Sequence, residues 1–223
     1  MTHTAYITAT AAFLPHAPVN NEEMERVLGQ VGAKPSRARR TILRSNGIVS
    51  RHYAIDHNTL QCTHSNAQLA AEAVRALSLQ QKKIDCLACG TSIADQLMPG
   101  HASMVQGELG LPACDVASTS GVCVAGMTAL RYALNAVRCG DSACAVATGS
   151  ELSSASMRAA MLWTSGFRLP SWRPNSTAPF PCWTFRRATT SRPAPIRSSP
   201  ASIRARSLSI AARVTAVGPA GLS

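Results

Sequence analysis

The chain has 223 residues, 46% of them hydrophobic and only 4% aromatic, so it can bury one large core or two small ones. It has no run of about 18 apolar residues, which argues against a membrane span. Its first residues lack the basic start and apolar core of a signal peptide. We therefore expect a cytoplasmic protein whose eight cysteines are reduced thiols rather than disulfides.

The positive charge is concentrated at one end of the chain. Residues 1–163 contain all 11 acidic residues and 13 of the 22 Lys and Arg residues, so their net charge is about +2. Residues 164–223 contain nine Arg and no other charged side chain, which supplies the remaining +9 of the total of +11. The basic character therefore belongs to the final segment.

The first half of the body combines a strand with two helices. The apolar run AYITATAAFLP predicts a strand that ends at Pro15. In NNEEMERVLGQVG, Asn20 or Asn21 caps a predicted helix. Ser65 and Gln68 form a capping-box pattern, which predicts that SNAQLAAEAVRALSL is a helix.

The second half of the body alternates short apolar runs with helical patterns. IDCLACG, ACDVAS and SACAVATG predict strands, and helices are expected from Pro99 to Gly110 and up to Gly140. Strands separated by helices of this length indicate βαβ units. We therefore predict an α/β fold with a mostly parallel sheet and helices on both faces.

Cys123 lies where a predicted strand turns into a long helix, in DVASTSGVCVAGMTALRYALNAVRCG. A helix N-terminus stabilises a thiolate, and small neighbours such as Gly121 and Gly126 would let a substrate approach closely. Cys123 is therefore a candidate nucleophile, although cysteine is also a common buried core residue. The 4-3-4-3 spacing of five apolar residues further predicts one buried helix face: Cys123, Met127, Leu130, Leu134 and Val137.

The CxxC formed by Cys86 and Cys89 does not predict a metal site. A pair at this spacing within a strand points its two thiols to opposite faces, and no second ligand pair follows. We therefore expect no metal.

The segment 164–223 has a low-complexity composition, with eight Pro, ten Ser and nine Arg. It shows no lasting apolar periodicity, so we expect a disordered basic tail. Such a composition is typical of GC-rich DNA translated out of frame, which is the interpretation we favour. The alternative is a genuine tail that binds nucleic acid, but its Arg residues are scattered and Lys is absent, which argues against that role.

Residues 1–163 resemble the N-terminal half of a β-ketoacyl-ACP synthase III-like protein of the thiolase superfamily. The stretches that carry the resemblance are AYITATAAFLP, NGIVSRHYA, PGHASMVQGELGLPACDVAS, CVAGMTALRYALNAVRCG and ACAVATGSE. The resemblance implies a thiolase-like half-domain in which Cys123 accepts an acyl group from acyl-CoA or acyl carrier protein. Claisen condensation with a carrier-bound malonyl or β-ketoacyl group would follow, in fatty-acid or polyketide-type lipid metabolism. No cofactor is implied.

The resemblance also implies a homodimer, paired through the strand near residues 143–148, and a substrate contact in the basic stretch 37–51. Arg44 is the candidate for that contact, although the usual arginine of the family aligns at Ser45. The stretch DVASTSGVC is three residues longer than the usual family sequence, which leaves the substrate open.

The catalytic His and the His or Asn of the second half have no counterpart here, because all six His lie at or before His101. We therefore expect an incomplete chain that is weakly active or inactive. The alternative functions are a non-catalytic scaffold or dimerisation partner of a full-length synthase, and a basic-tailed nucleic-acid-binding protein.

Overall fold

The computed structural model describes residues 3–29, 39–79, 83–154 and 209–216. Its strands are β1 (Ala5–Phe13), β2 (Val19–Asn20), β3 (Ser50–Arg51), β4 (Cys86–Thr91), β5 (Asp115–Ser120), β6 (Cys144–Gly149) and β7 (Ser209–Ala216). Its helices are α1 (Met24–Leu28), α2 (Arg39–Asn46), α3 (Asn66–Arg75), α4 (His101–Leu109) and α5 (Ala125–Cys139).

Five strands form the main sheet in the order β1-β7-β6-β4-β5. β4 pairs in parallel with β5 and with β6, whereas β7 runs antiparallel to both β6 and β1. Four of the five strands therefore point the same way, which confirms the prediction of a mostly parallel sheet. β2 and β3 form a separate two-stranded antiparallel sheet.

Helices cover both faces of the main sheet. α3 and α4 pack on one face, where Leu87, Cys89 and Val146 belong to the same buried cluster as Val74 and Val105. On the other face α5 covers a second cluster, which contains Cys86 and Ala145. Cys86 and Cys89 therefore lie on opposite sides of the sheet, as the position of the CxxC within a strand predicts.

Local sequence signals fix the ends of the helices. The Ser65 hydroxyl accepts a hydrogen bond from the Gln68 backbone N–H, and the Gln68 side chain accepts one from the Ser65 N–H, so the predicted capping box is present. Gly110 and Gly140 end α4 and α5 in the left-handed conformation that glycine adopts without strain. These helix ends are confirmed.

The buried face of α5 differs from the predicted one. The residues that it buries are Ala125, Ala129, Ala133 and Val137. Cys123 precedes the helix and is exposed, and Met127 is 68% exposed. The prediction is confirmed for Val137 and wrong for Cys123 and Met127, whereas Leu130 and Leu134 are half-buried against the core. It followed large apolar side chains, but a helix that lies close against the sheet buries mainly its small ones.

The expectation of disorder from residue 164 onward is wrong for Ser209–Ala216. These residues form β7, an interior strand that pairs with β1 on one side and β6 on the other. Ser209, Ala211 and Val214 are buried, because strands on both sides and helices on both faces enclose them. The rest of the predicted tail, residues 164–208 and 217–223, lies outside the described residues.

The position of β7 also corrects the predicted dimer strand. β6, which covers most of 143–148, is paired with β4 on one side and β7 on the other, so it has no free edge. β5 and β1 form the two edges of the sheet. In the part of the chain that the structure describes, no helix is long and apolar enough to cross a membrane.

Candidate active site

Cys123 lies in the short turn between β5 and α5. Its φ of 66° is in the left-handed region, which a non-glycine residue adopts only at a local energetic cost. The turn lies where the parallel strands β4, β5 and β6 end, and the Cys123 thiol is exposed there. The carboxyl ends of parallel strands are the usual place for a ligand site in an α/β sheet.

Three glycines let α5 start directly against the sheet. A methyl group on Gly90, at the end of β4, would meet the backbone carbonyl of Ala125 and lie 2.6 Å from the Gly126 nitrogen. A methyl group on Gly126 would in turn lie 3.2 Å from the Cα atom of Gly149, at the end of β6. The first turn of α5 is therefore set by backbone-to-backbone packing.

Hydrogen bonds from neighbouring residues hold the turn between β5 and α5 in place. The Thr119 hydroxyl donates to the Ala125 carbonyl at 2.8 Å, and the Ala125 N–H donates to the Gly121 carbonyl at 3.2 Å. The Ser92 hydroxyl donates more weakly to the same Gly121 carbonyl at 3.4 Å. Ser92 is itself fixed, because its N–H donates to the Glu151 carboxylate at 2.6 Å. The turn is thus tied to the ends of both β4 and β6.

The first turn of α5 supplies partial positive charge next to the thiol. The cap residue is Val124, which has no side-chain acceptor for the N–H groups at the start of this 15-residue helix. Those groups carry the positive end of the helix dipole. Cys123 directly precedes the cap residue, two positions before the first residue of α5.

A cavity of about 450 Å³ adjoins the turn, at the ends of β4 and β5. Its wall includes Ser92, Ile93 and Leu97 from the segment after β4, and Ser118, Thr119 and Ser120 from β5. The wall ends three residues before Cys123. Since it combines hydroxyl groups with aliphatic side chains, the cavity can accommodate a partly polar chain. Cys123 itself is not one of the lining residues.

His101 lies under this cavity, at the start of α4, and is only 3% exposed. Its Nε2 lies 3.1 Å from the Ser150 hydroxyl. Burial lowers the pKa of His101, although the charges of Asp95 and Glu151 partly oppose this effect. His101 is therefore neutral at neutral pH. Its place in the chain rules out His101 as the distal catalytic histidine of the family. No sequence pattern predicted that His101 would lie beside the cavity.

The other cysteines differ from Cys123 in their surroundings. Burial, the largest cause in each case, raises the pKa of Cys86 and of Cys89 to about 12, so both remain protonated thiols. Cys139 is exposed but lies at the opposite end of α5. Among the described residues, no group of three His, Cys, Asp or Glu side chains is arranged to hold a metal ion.

Arg44 is exposed in the last turn of α2. Two other arginines of this region have structural contacts: Arg39 forms an ion pair with Glu25 at 2.9 Å, and Arg51 donates to the Asn21 side chain. Within the described ranges, Arg44 has no hydrogen bond or ion pair. Neither Arg44 nor Cys123 lines the cavity at the ends of β4 and β5, so the structure does not bring these two predicted site residues into one pocket.

An open groove of about 660 Å³ runs along the outer side of α5. It is lined by the start of β1 and by Met127, Leu130 and Leu134. Arg131 and Arg138 lie at the same groove. Of the residues that were expected to be core, Met127 is therefore exposed at this groove, and Leu130 and Leu134 are half-buried along it.

One curated relative is a β-ketoacyl-[acyl-carrier-protein] synthase III from Xanthomonas oryzae pv. oryzae (strain MAFF 311018). It is 27% identical over 146 residues, which are 65% of this chain and 42% of that protein. The chain thus spans less than half the length of this relative. No protein-family model matches the chain.

Solved structures of condensing enzymes share the fold. The tetronic acid condensing enzyme AbyA1 matches with a TM-score of 0.64 and 19% identity, over 97% of this chain and 54% of that one. A 3-oxoacyl-(acyl carrier protein) synthase III from Pseudomonas aeruginosa PAO1 matches with a TM-score of 0.62 and 17% identity, over 97% and 52%. OleA from Xanthomonas campestris matches with a TM-score of 0.62 and 15% identity, over 96% and 56%. The chain therefore has a thiolase-like fold over about half the length of these ketosynthases, and its sequence resembles β-ketoacyl-ACP synthase III.

Proposed function

We propose that this chain carries the acyl-accepting half-site of a β-ketoacyl-ACP synthase III-type enzyme, with Cys123 as the nucleophile. The observation that carries the proposal is the placement of an exposed thiol at the head of α5, in a left-handed turn at the carboxyl ends of parallel strands. The resemblance to β-ketoacyl-ACP synthase III supports it independently.

In the first half-reaction, the Cys123 thiolate attacks the carbonyl carbon of an acyl thioester. A new bond forms between the Cys123 sulfur and the acyl carbon, and the bond to the carrier sulfur breaks. The carrier leaves as a thiolate and takes up a proton. In the second half-reaction, a carbon nucleophile attacks the acyl carbon, and the bond to the Cys123 sulfur breaks to release the thiolate. That nucleophile forms from a carrier-bound malonyl group by loss of carbon dioxide, or from a β-ketoacyl group by loss of an α-proton. The described residues include the nucleophile proposed for the first half-reaction.

Intact-protein mass spectrometry after incubation with a panel of short acyl-CoA esters tests the loading step. We expect an acyl adduct on the unmodified chain that is lost in Cys123→Ala. Cys139→Ala is the matched control, because Cys139 is exposed at the opposite end of the same helix, and this variant should keep the adduct. An adduct that survives Cys123→Ala would refute the assignment.

Arg44 is proposed as a contact for the phosphates of CoA or the acidic surface of a carrier protein. Its support is an exposed guanidinium with no partner among the described residues, in the basic stretch that resembles the family. Arg44→Ala should slow loading at low acyl-CoA concentration and leave it unchanged at saturation. Arg138→Ala, at the far end of α5, should have no effect at either concentration. Equal slowing at saturation would contradict a binding role.

The chain is also proposed to form a homodimer through β5. This strand is paired only with β4 in the described sheet, and Leu97 and Met98, which are 96% and 85% exposed, lie on the neighbouring segment. An unpaired edge with apolar residues beside it favours pairing with a second chain.

Sedimentation velocity tests the dimer. We expect a dimer that Met98→Glu dissociates, whereas Val49→Glu, at an exposed position on the β2–β3 side, should leave it intact. A monomer at all concentrations would refute this interface. A stable complex with a full-length synthase, combined with no acyl adduct on Cys123, would instead support a non-catalytic partner.

A further inference from the structure

A group of histidines lies where the end of β1 meets the loop formed by residues 52–64. The His16 ring centroid is 5.9 Å from that of His57 and 6.1 Å from that of His64. His64 also packs against Phe13, the last residue of β1, at 5.6 Å. The three imidazoles therefore form one cluster that joins the loop to the sheet.

The Thr63 hydroxyl bridges two of these rings. Its oxygen lies 2.8 Å from His16 Nε2 and 2.8 Å from His64 Nδ1. A hydroxyl has one hydrogen and two acceptor lone pairs, so it can donate to at most one of these ring nitrogens and can accept from one or both. When both rings are protonated, the Thr63 oxygen can still accept from each of them, but two positive charges then lie close together.

The loop has its own backbone structure, and the histidines connect that structure to β1. Ile55 forms an antiparallel bridge with Cys62, and the Thr63 N–H donates to the Ala54 carbonyl at 3.0 Å. Outside this hairpin, His52 Nδ1 lies 3.0 Å from the His16 carbonyl. The start of the loop is anchored separately, because Tyr53 and Ile55 are buried in a cluster with Val27 of α1. The histidine contacts therefore join mainly residues 56–64 to β1.

The charged groups around the cluster come from the loop and from α3. Asp56 is nearest to His16, but its carboxylate already accepts hydrogen bonds from the Asn58 and Thr59 N–H groups. Glu72 on α3 favours the protonated form of His64. Burial and the neighbouring His16 outweigh this effect and lower the pKa of His64. His57 Nε2 is buried, with no hydrogen-bond partner among the described residues.

We propose that His16, His57 and His64 form an acid-responsive latch, in which a second proton on the cluster releases residues 56–64 from the end of β1. A histidine that resists protonation in the closed state takes up its proton on opening. The closed state is therefore favoured above the ordinary imidazole value of about pH 6.5 and is weakened as the pH falls below it. This inference does not depend on the acyl-transfer function.

Hydrogen–deuterium exchange of the full chain at pH 7.5, 6.5 and 5.5, corrected for the intrinsic exchange rate, tests the latch. Peptides that cover 56–64 should lose protection on acidification, by up to about tenfold per pH unit for uptake of one proton. Peptides from β4 and β6 should change less, which separates local opening from global unfolding.

Two variants identify the histidines responsible. His64→Gln removes one imidazole of the cluster. His16→Asn removes another, at a position where φ is 54°, a conformation that Asn tolerates. Each should flatten the pH dependence of the loop, while His3→Gln, at an exposed site near Gly140, should leave it unchanged. Loop protection of the unmodified chain that does not vary with pH would overturn the proposal, and so would a pH dependence that persists in both variants.

Discussion

Three glycines, whose side chains are single hydrogen atoms, determine how closely α5 approaches the sheet. Gly90 lies against the backbone of Ala125 and Gly126, and Gly126 lies against Gly149. Any of these residues with a side chain would push the head of α5 away from the strand ends. The position of Cys123 relative to β4 and β6 therefore depends on these glycines.

Gly90→Ala should destabilise the fold, because the added methyl group meets backbone atoms that cannot rotate away. We expect the free energy of unfolding to fall by about 1–3 kcal/mol or more, as measured by urea denaturation. Gly107→Ala is the matched control. It lies inside α4 with nothing within 4 Å of the added methyl group, and should gain roughly 0.5–1 kcal/mol. Equal effects of the two substitutions would contradict the close packing.

His101 should make the whole fold sensitive to acid. Its pKa is lowered by burial, so the unfolded chain binds its proton more readily than the folded chain does. The free energy of unfolding should therefore be highest above about pH 6.5 and decrease as the pH falls below it. His101→Gln, which can keep a hydrogen bond to Ser150, should reduce this decrease in urea titrations at pH 7.5 and 5.5. An unchanged pH dependence would show that His101 does not cause it.

Among the elements, β7 matters most for the architecture, since it connects β1 to the rest of the sheet. Its side chains are mostly small, and Ala211 is fully buried between the covering layers. Its neighbour Ile210 points to the other face and is 45% exposed. These adjacent residues therefore provide a direct test of whether the strand is interior.

Ala211→Asp should unfold the chain or reduce its stability by several kcal/mol, because it buries a charge without a partner. Ile210→Asp introduces the same charge one residue earlier and should cost far less. Circular dichroism and thermal melting measure both variants. If Ala211→Asp were as stable as Ile210→Asp, β7 would not be an interior strand.

Most of the elements up to Gly149 could be predicted from sequence, because their signals are local. The Ser65 capping box, the glycines that end α4 and α5, and the short apolar runs of β4, β5 and β6 each define an element without knowledge of its neighbours. β7 could not be predicted in this way. Its eight residues contain no turn signal. When a longer stretch is considered, the Pro, Ser and Arg residues of the preceding segment obscure the strand pattern.

The candidate site was only partly predictable. The position of Cys123 at a strand-to-helix turn followed from the pattern around it, and its proposed role came from the resemblance. The buried face of α5 could not be predicted from the sequence, because the burial of its alanines depends on how close the helix lies to the sheet. The strand order could not be predicted either, because without β7 nothing in the sequence indicates that β6 is an interior strand.

The molecule as a whole has two kinds of open surface. One is the β5 edge of the sheet, and the other is the groove along α5, to which Met127 contributes. Ile7 and Ile210, on the neighbouring strands β1 and β7, are about half exposed as well. Exposed apolar surface of this kind promotes association.

We expect the isolated chain to self-associate through the α5 groove as its concentration rises. Met127→Glu should lower the apparent mass in light scattering at high concentration, because it places a charge in the groove. Thr128→Glu adds the same charge to the same helix outside the groove lining and should have little effect. A monodisperse monomer that melts cooperatively would contradict this prediction.

The pairing of β1 with β7 has a consequence for how the protein is made. Thr8 and Arg213, which contact each other across these strands, are 205 positions apart in the chain. A ribosome adds about 5–20 residues per second, so β1 waits at least about 10–40 s after its synthesis before its partner strand exists. In the described sheet β1 pairs with no other strand. Of the described strands, β1 is therefore synthesised first and is among the last to be paired, so it is the one that a nascent-chain chaperone would have to protect longest.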